Sequence, residues 1–207
     1  MPDAILAHGL WVPGLVMRPL AARLARSGLR CHTFSYGGRT RRLEAHAERL
    51  ARLAREIGPA HFVGHSLGGL VVLAALDADR AIQAGRVVLL GTPASGCASA
   101  ERLARHAPGR WLLGESIEAL ARNRVARWAR PEALGVVAGT LPVGLGRMVG
   151  KLPGRNDGVV TIEETTVEGM AERVVVRVSH SAMLVSARVA AHVETFLRTG
   201  CFRHDAA

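Results

Sequence analysis

With 207 residues, 49% of them hydrophobic, the chain can bury one substantial core and is too apolar for intrinsic disorder. No apolar run reaches the roughly 18 residues that a membrane-spanning helix needs. The formal charge of +10 is almost all arginine, scattered along the chain with only four Phe and one Tyr to stack on bases, which argues against nucleic-acid binding and leaves at most a weak attraction to anionic membrane surfaces or acidic substrates.

Cys31, Cys97 and Cys201 show neither a paired framework nor metal-ligand spacing, so reduced thiols and no metal site are expected. The start, Met1-Pro2-Asp3, has no basic segment followed by a cleavable apolar stretch, and the expected location is therefore cytoplasmic.

In chain order, residues 4–8 form a short apolar run that predicts a strand. Residues 15–27 read as a helix that Gly28 ends, and 29–35 as a second strand. Over 41–57 the apolar residues Leu43, Ala47, Leu50, Ala54 and Ile57 share one helical face. Gly58-Pro59 stops that helix before a third strand at 60–64. The almost wholly apolar stretch 67–78 predicts a buried helix, and 86–91, with Val87-Val88-Leu89-Leu90, a fourth strand. Strands at 134–139 and 173–178 and a closing helix at 182–198 complete the set. Such alternation predicts a single α/β domain over 1–207, with about six mostly parallel strands and helices on both faces. Residues 94–131 break the rhythm, with helical pieces and no strand: either a lid above an active site or a routine helical connection.

Gly64-His65-Ser66-Leu67-Gly68 fits the nucleophile-elbow pattern G-x-S-x-G. Chance alone would supply about 0.1 occurrences in a chain of this composition. The position adds weight, because the motif lies between a predicted strand and a predicted apolar helix. Its glycines permit a tight turn that lifts the serine above the sheet, and the following helix aims its N-terminus at developing negative charge. A serine that merely caps the helix would not need a glycine on each side.

A serine hydroxyl needs a base, and the base an orienting acid. Four histidines follow Ser66: His106, His180, His192 and His204. His180 directly follows the last predicted strand, between Ser179 and Ser181, where the carboxyl ends of parallel strands form the active edge. The others sit in the irregular region, the last helix and the tail, and read as surface or packing residues. Of five aspartates, Asp3 and Asp205 are terminal and Asp77 and Asp79 end the apolar helix. Asp157 in Asn156-Asp157-Gly158-Val159-Val160 remains, against the plainer reading of an Asp-Gly turn. Glu163 or Glu164 would be the substitute acid.

An ester's tetrahedral intermediate needs about two N–H donors. Leu67 N–H, after the nucleophile, is one candidate, and Leu10 N–H in His8-Gly9-Leu10 is the other. His8 reads as a core residue supporting that loop. Trp11 and His65 are candidate pocket residues, with core packing the alternative for Trp11.

Taken together, Leu6-Ala7-His8-Gly9, Gly64-His65-Ser66-Leu67-Gly68-Gly69, Leu90-Gly91-Thr92-Pro93, Asn156-Asp157-Gly158-Val159-Val160 and Ser179-His180-Ser181-Ala182-Met183-Leu184 resemble the small bacterial esterases and lipases of the α/β-hydrolase superfamily, of lipase class 2, PGAP1-like and minimal-lipase type. The resemblance spans nearly the whole chain. It implies the α/β-hydrolase fold, a triad of Ser66, Asp157 and His180, oxyanion donors at Leu10 and Leu67, and no metal or cofactor. Many relatives carry a secretion signal that is not visible here, which favours an intracellular carboxylesterase acting on a small-molecule or lipid ester. The same triad also serves acyltransferases, thioesterases and amidases, and a catalytically inactive binding module is a rival from another class.

Overall fold

The computed structural model describes residues 1–10, 14–37, 42–116, 119–120, 126–143 and 152–203. Trp11 and His204 lie outside these residues.

Six strands form one sheet: β1 (Asp3–Ala7), β2 (Arg30–Phe34), β3 (Ala60–His65), β4 (Ala84–Leu90), β5 (Leu134–Gly139) and β6 (Glu172–Val176). Their order is β2-β1-β3-β4-β5-β6, and every neighbouring pair is parallel. All six strands expected from the sequence are present, with ends shifted by at most two residues. The inner strands of a parallel sheet are buried on both faces, which is why β1, β4 and β5 carry apolar runs, whereas the edge strands β2 and β6 keep polar, partly exposed residues. Ile5, Phe62, Leu89 and Val136 point to one side, against α2 (Leu43–Ile57) and α3 (Leu67–Ala78). Leu6, Val63, Leu90 and Val137 point to the other, where Leu20 and Leu24 of α1 (Arg18–Arg26) meet Val193 and Phe196 of the last helix, Ala187–Thr199.

The helices stop where the sequence says they should. Gly28 at φ 89° ends α1 and Gly58 at φ 87° ends α2, conformations that glycine adopts without a Cβ clash. The expected closing helix 182–198 is split into a 3-10 turn at Ser181–Leu184 and a helix at Ala187–Thr199. Ser186 Oγ accepts a hydrogen bond from Val189 N–H at 3.3 Å and thereby starts the second piece as an N-cap, a local signal the apolar periodicity had masked. The expected helix over 15–27 likewise opens with a 3-10 turn, Gly14–Met17.

Residues 94–131 contain α4 (Ala98–Ala104), α5 (Ala107–Leu113) and a 3-10 turn at Gly114–Ser116, with no sheet strand among the described residues. The closing helix is therefore α6 in chain order. Both ends of this segment are tied to the chain after β5. Ser95 N–H donates to Glu164 O at 2.9 Å and Ser95 Oγ to Thr166 O at 2.6 Å. On the far side Trp128 N–H donates to Glu168 O at 2.7 Å, and Ala126 N–H closes back onto Ala94 O at 2.8 Å. Among the described residues, no helix is long and apolar enough to cross a membrane.

One topological fact places the site. From β1 the chain goes out to β2 on one side and returns to β3 on the other. The crossovers on the two sides of β1 diverge, leaving a crevice beyond the carboxyl ends of β1 and β3, where such sheets bind ligands.

Candidate active site

The turn between β3 and α3 carries Ser66 at φ 53°, ψ −124°. Among the described residues it is the only non-glycine with positive φ. A side chain held there costs about 1–3 kcal/mol and persists only where the surroundings enforce it. Ser66 N–H donates to Leu90 O at 2.9 Å and Gly69 N–H to Ser66 O at 3.0 Å, pinning both ends of the turn. A Cβ on Gly64 would strike the Gly69 backbone, and one on Gly68 would strike the carbonyls of Ala7 and His8. The serine makes no side-chain hydrogen bond to its own helix, so capping does not explain it. Leu67 is the first residue of α3, and its N–H therefore has no carbonyl partner within the helix.

His180 lies in the loop after β6 and is buried, as is Asp157. His180 Nδ1 sits 2.7 Å from Asp157 Oδ2, and since a carboxylate only accepts, Nδ1 carries the proton. The other carboxylate oxygen, Oδ1, accepts from Val159 N–H at 2.9 Å and Val160 N–H at 2.8 Å. His180 N–H donates to Asp157 O at 2.9 Å, so backbone and side chain lock the pair in parallel. Two glycines make room for it. A Cβ on Gly139, at the end of β5, would fall 2.7 Å from Asp157 Cβ. One on Gly91, at φ +53°, would sit 3.0 Å from both Asp157 Oδ2 and His180 Nδ1.

The substitute acids are placed elsewhere. Glu164 Oε1 accepts from Ala98 N–H at 2.6 Å and its Oε2 from Thr161 N–H at 2.7 Å, so this carboxylate fastens the start of α4 to the Asp157 loop. Glu163 is exposed on the neighbouring 3-10 turn. Asp77 pairs with Arg80 at 2.7 Å and Asp79 with Arg55 at 3.3 Å. His106 is exposed and His192 packs beside Phe202.

Ser66, His180 and Leu10 share the wall of one cavity of about 620 Å³. Leu103, Leu113 and Leu120 of the 94–131 segment line it on one side, Leu15, Val16 and Leu184 on the other. No Asp, Glu, Lys or Arg is among its described lining residues. Leu15, Val143 and Val185 at its wall are exposed apolar side chains.

Behind the loop at Gly9-Leu10 lies a group the sequence only half revealed. His8 Nδ1 is 2.7 Å from Gly9 O, so Nδ1 is the protonated nitrogen, and Nε2 accepts from Tyr36 N–H at 3.1 Å. Tyr36 Oη–H returns a bond to His8 O at 2.6 Å, and the two rings stack at 4.4 Å. Both nitrogens are committed only while His8 is neutral, and burial holds its pKa below the ordinary histidine range. The expectation that His8 supports this loop thus has a geometry; Tyr36 was missed. The register that sets Ala7 beside Phe34 brings Tyr36 to His8, a signal available only once β1 and β2 are known to pair.

His65, expected to line the pocket, does so while only 4% exposed. Its Nε2 lies 3.1 Å from His180 O.

A family model described as the alpha/beta hydrolase family matches residues 4–200. The chain belongs to the alpha/beta hydrolase family. No significant match is found among the curated proteins. Among solved structures, this hydrolase is similar to the Bacillus licheniformis lipase BlEst2 in mature form, with a TM-score of 0.78 and 19% identity over 95% of this chain and 91% of that one. The metagenomic carboxyl esterase MGS0156 is similar at TM-score 0.71 and 18% identity, covering 86% of this chain and 64% of that one. A thermophilic esterase from Thermogutta terrifontis is similar at TM-score 0.65 and 17% identity over 96% and 90% of the two chains. At such identities the likeness is one of fold: a six-stranded parallel hydrolase sheet with helices on both faces.

Proposed function

We propose that this hydrolase is a serine esterase with Ser66 as nucleophile, His180 as general base and acid, and Asp157 as the orienting carboxylate. The observation that carries the reading is the buried 2.7 Å Asp157–His180 pair opening on the cavity that also presents Ser66 from a strained turn. Asp157 keeps the proton on Nδ1, which leaves His180 Nε2 free to take the Ser66 hydroxyl proton. Oγ attacks the ester carbonyl, and the N–H groups of Leu10 and Leu67 receive the oxyanion. The C–O bond to the alcohol breaks, and the alcohol leaves with the proton from His180. Water, deprotonated by His180, then hydrolyses the acyl-enzyme and restores Ser66.

The described cavity wall suits a neutral ester with an apolar acyl or alcohol part, since a charged group would be desolvated against it with no counter-charge among the described lining residues. The names of the lipase and esterases that share the fold support an ester over other acyl compounds. A fluorophosphonate probe followed by peptide mass spectrometry tests the assignment. Label on Ser66, abolished in Ser66→Ala and His180→Ala, together with turnover of p-nitrophenyl esters, is the expected result. Label on a different serine, or none on folded protein, refutes it.

A further inference from the structure

His65 has no step in the mechanism above, yet it stands next to the nucleophile in sequence and against the base in space. We propose that His65 is a positioning residue that holds the His180 loop in register with Ser66, a role that rests on the esterase reading. The His180 backbone is gripped at both ends: its N–H by Asp157 O at 2.9 Å, and its carbonyl by His65 Nε2 at 3.1 Å. A carbonyl only accepts, so His65 carries its proton on Nε2. This bond joins the last residue of β3, covalently next to Ser66, to the base 115 positions away. It is a brace between the two backbone segments that carry the reacting side chains.

The other face of the ring is equally constrained. Nδ1 is buried, with no hydrogen-bond partner among the described residues. A Cβ on Gly9 would lie 3.1 Å from His65 Nδ1 and 3.1 Å from Ser66 Cβ, so the ring also backs the loop that carries Leu10. The His65 and His180 rings are 4.7 Å apart. When His180 takes the serine proton, a second cation at that distance would oppose the transfer. Burial holds His65 neutral, with a pKa pushed down to about 3; the His180 and His8 rings act in the same direction, while the bond to the His180 carbonyl and the charge of Asp157 oppose them. The brace therefore keeps its hydrogen bond throughout the cycle without adding charge beside the base.

The test compares His65→Leu with His65→Gln, whose side-chain N–H₂ reaches the region of Nε2 while its shape differs from imidazole. Both are assayed for p-nitrophenyl ester turnover, fluorophosphonate labelling of Ser66 and thermal melting. In His65→Leu, kcat and the labelling rate should fall about 10- to 100-fold with KM changed less than about threefold, the signature of a misplaced base. His65→Gln should recover most of the loss. A rise in KM alone, an equal loss in both folded variants, or wild-type rates in His65→Leu would overturn the proposal. Failure of the wild type to label at Ser66 would sink the esterase reading and this inference together, whereas wild-type labelling with an unaffected Leu variant would sink this one only. Should the Leu variant not fold, ¹⁵N-histidine spectra of the wild type decide. One ring must remain neutral, with its proton on Nε2, between pH 8 and pH 5; titration of every histidine in that range refutes the brace.

Discussion

Replacing Asp157 by Asn tests the orienting role of the carboxylate with little change in shape. Val159 and Val160 N–H both point at one side-chain oxygen, at 2.9 and 2.8 Å, and only an oxygen can answer them. The amide oxygen of the substituted side chain must therefore take that place, which turns its N–H₂ toward His180 Nδ1. An N–H donor facing Nδ1 forces the ring's proton onto Nε2, and Ser66 Oγ then meets a donor where it needs an acceptor. In serine proteases the corresponding Asp-to-Asn change lowers kcat about 10⁴-fold for this reason. At about 1.4 kcal/mol per decade, that is roughly 5.5 kcal/mol of transition-state stabilisation. Stability should fall much less, by about 1 kcal/mol, because all three hydrogen bonds to the side chain can be kept. The assay is kcat on p-nitrophenyl butyrate beside a thermal melt. A folded Asp157→Asn protein within tenfold of wild-type kcat would show that His180 does not depend on Asp157 for its tautomer.

Gly91→Ala should lower both kcat and melting temperature, since its φ of +53° is strained for alanine and the new Cβ would press at 3.0 Å on Asp157 Oδ2 and His180 Nδ1; unchanged turnover would show that the pair tolerates displacement. Tyr36→Phe removes the 2.6 Å bond to His8 O and should cost about 1–2 kcal/mol in denaturant unfolding, with a smaller loss of kcat through the loop at Leu10. Arg130→Ala should cost about 2–3 kcal/mol without changing KM: its guanidinium donates to Leu76 O at 2.9 Å and Ile82 O at 2.8 Å, closing the end of α3, the helix that follows Ser66, and pairs with Glu132. Acid should destabilise the fold below about pH 6.5. His65 and His8 have folded-state pKa values below the unfolded value, so their contribution is complete above the unfolded pKa near 6.5 and is lost as pH falls toward about 3 for His65, with a slope of up to about 1.4 kcal/mol per pH unit for each histidine. Melting temperatures at pH 7, 5.5 and 4 read this directly; a flat profile would contradict it.

Most of the fold could be read from residue patterns because its signals are local. A buried parallel strand needs an unbroken apolar run, and 134–139 and 87–90 consist of little else. A helix against a sheet needs an apolar stripe and a stop, and residues 43–57 followed by Gly58 supply both. The elbow too is local, since the glycines that Ser66 requires are within three residues of it. Splitting of the last helix at Ser186 escaped the pattern because one capping hydroxyl outweighs an apolar periodicity that runs through it.

What depended on tertiary structure involves partners far apart in the chain. Asp157 and Glu164 are both acids near a turn, and nothing within seven residues says which faces His180. The packing does: Glu164 is consumed by the N–H groups of Ala98 and Thr161, while Asp157 is carried over Gly139 and Gly91 to His180. Tyr36 meets His8 only because β1 and β2 pair in parallel, 28 positions apart. The wall that residues 94–131 contribute, with no charged side chain among its described lining residues, follows from ties at Ser95 and Trp128 that no local pattern encodes. Hydrogen-bond periodicity and side-chain alternation act over a few residues and so are written into short stretches of sequence. The pairing of Asp157 with His180, the support behind the Gly9-Leu10 loop and the shape of the cavity are set by closure of the whole sheet, which brings those stretches together.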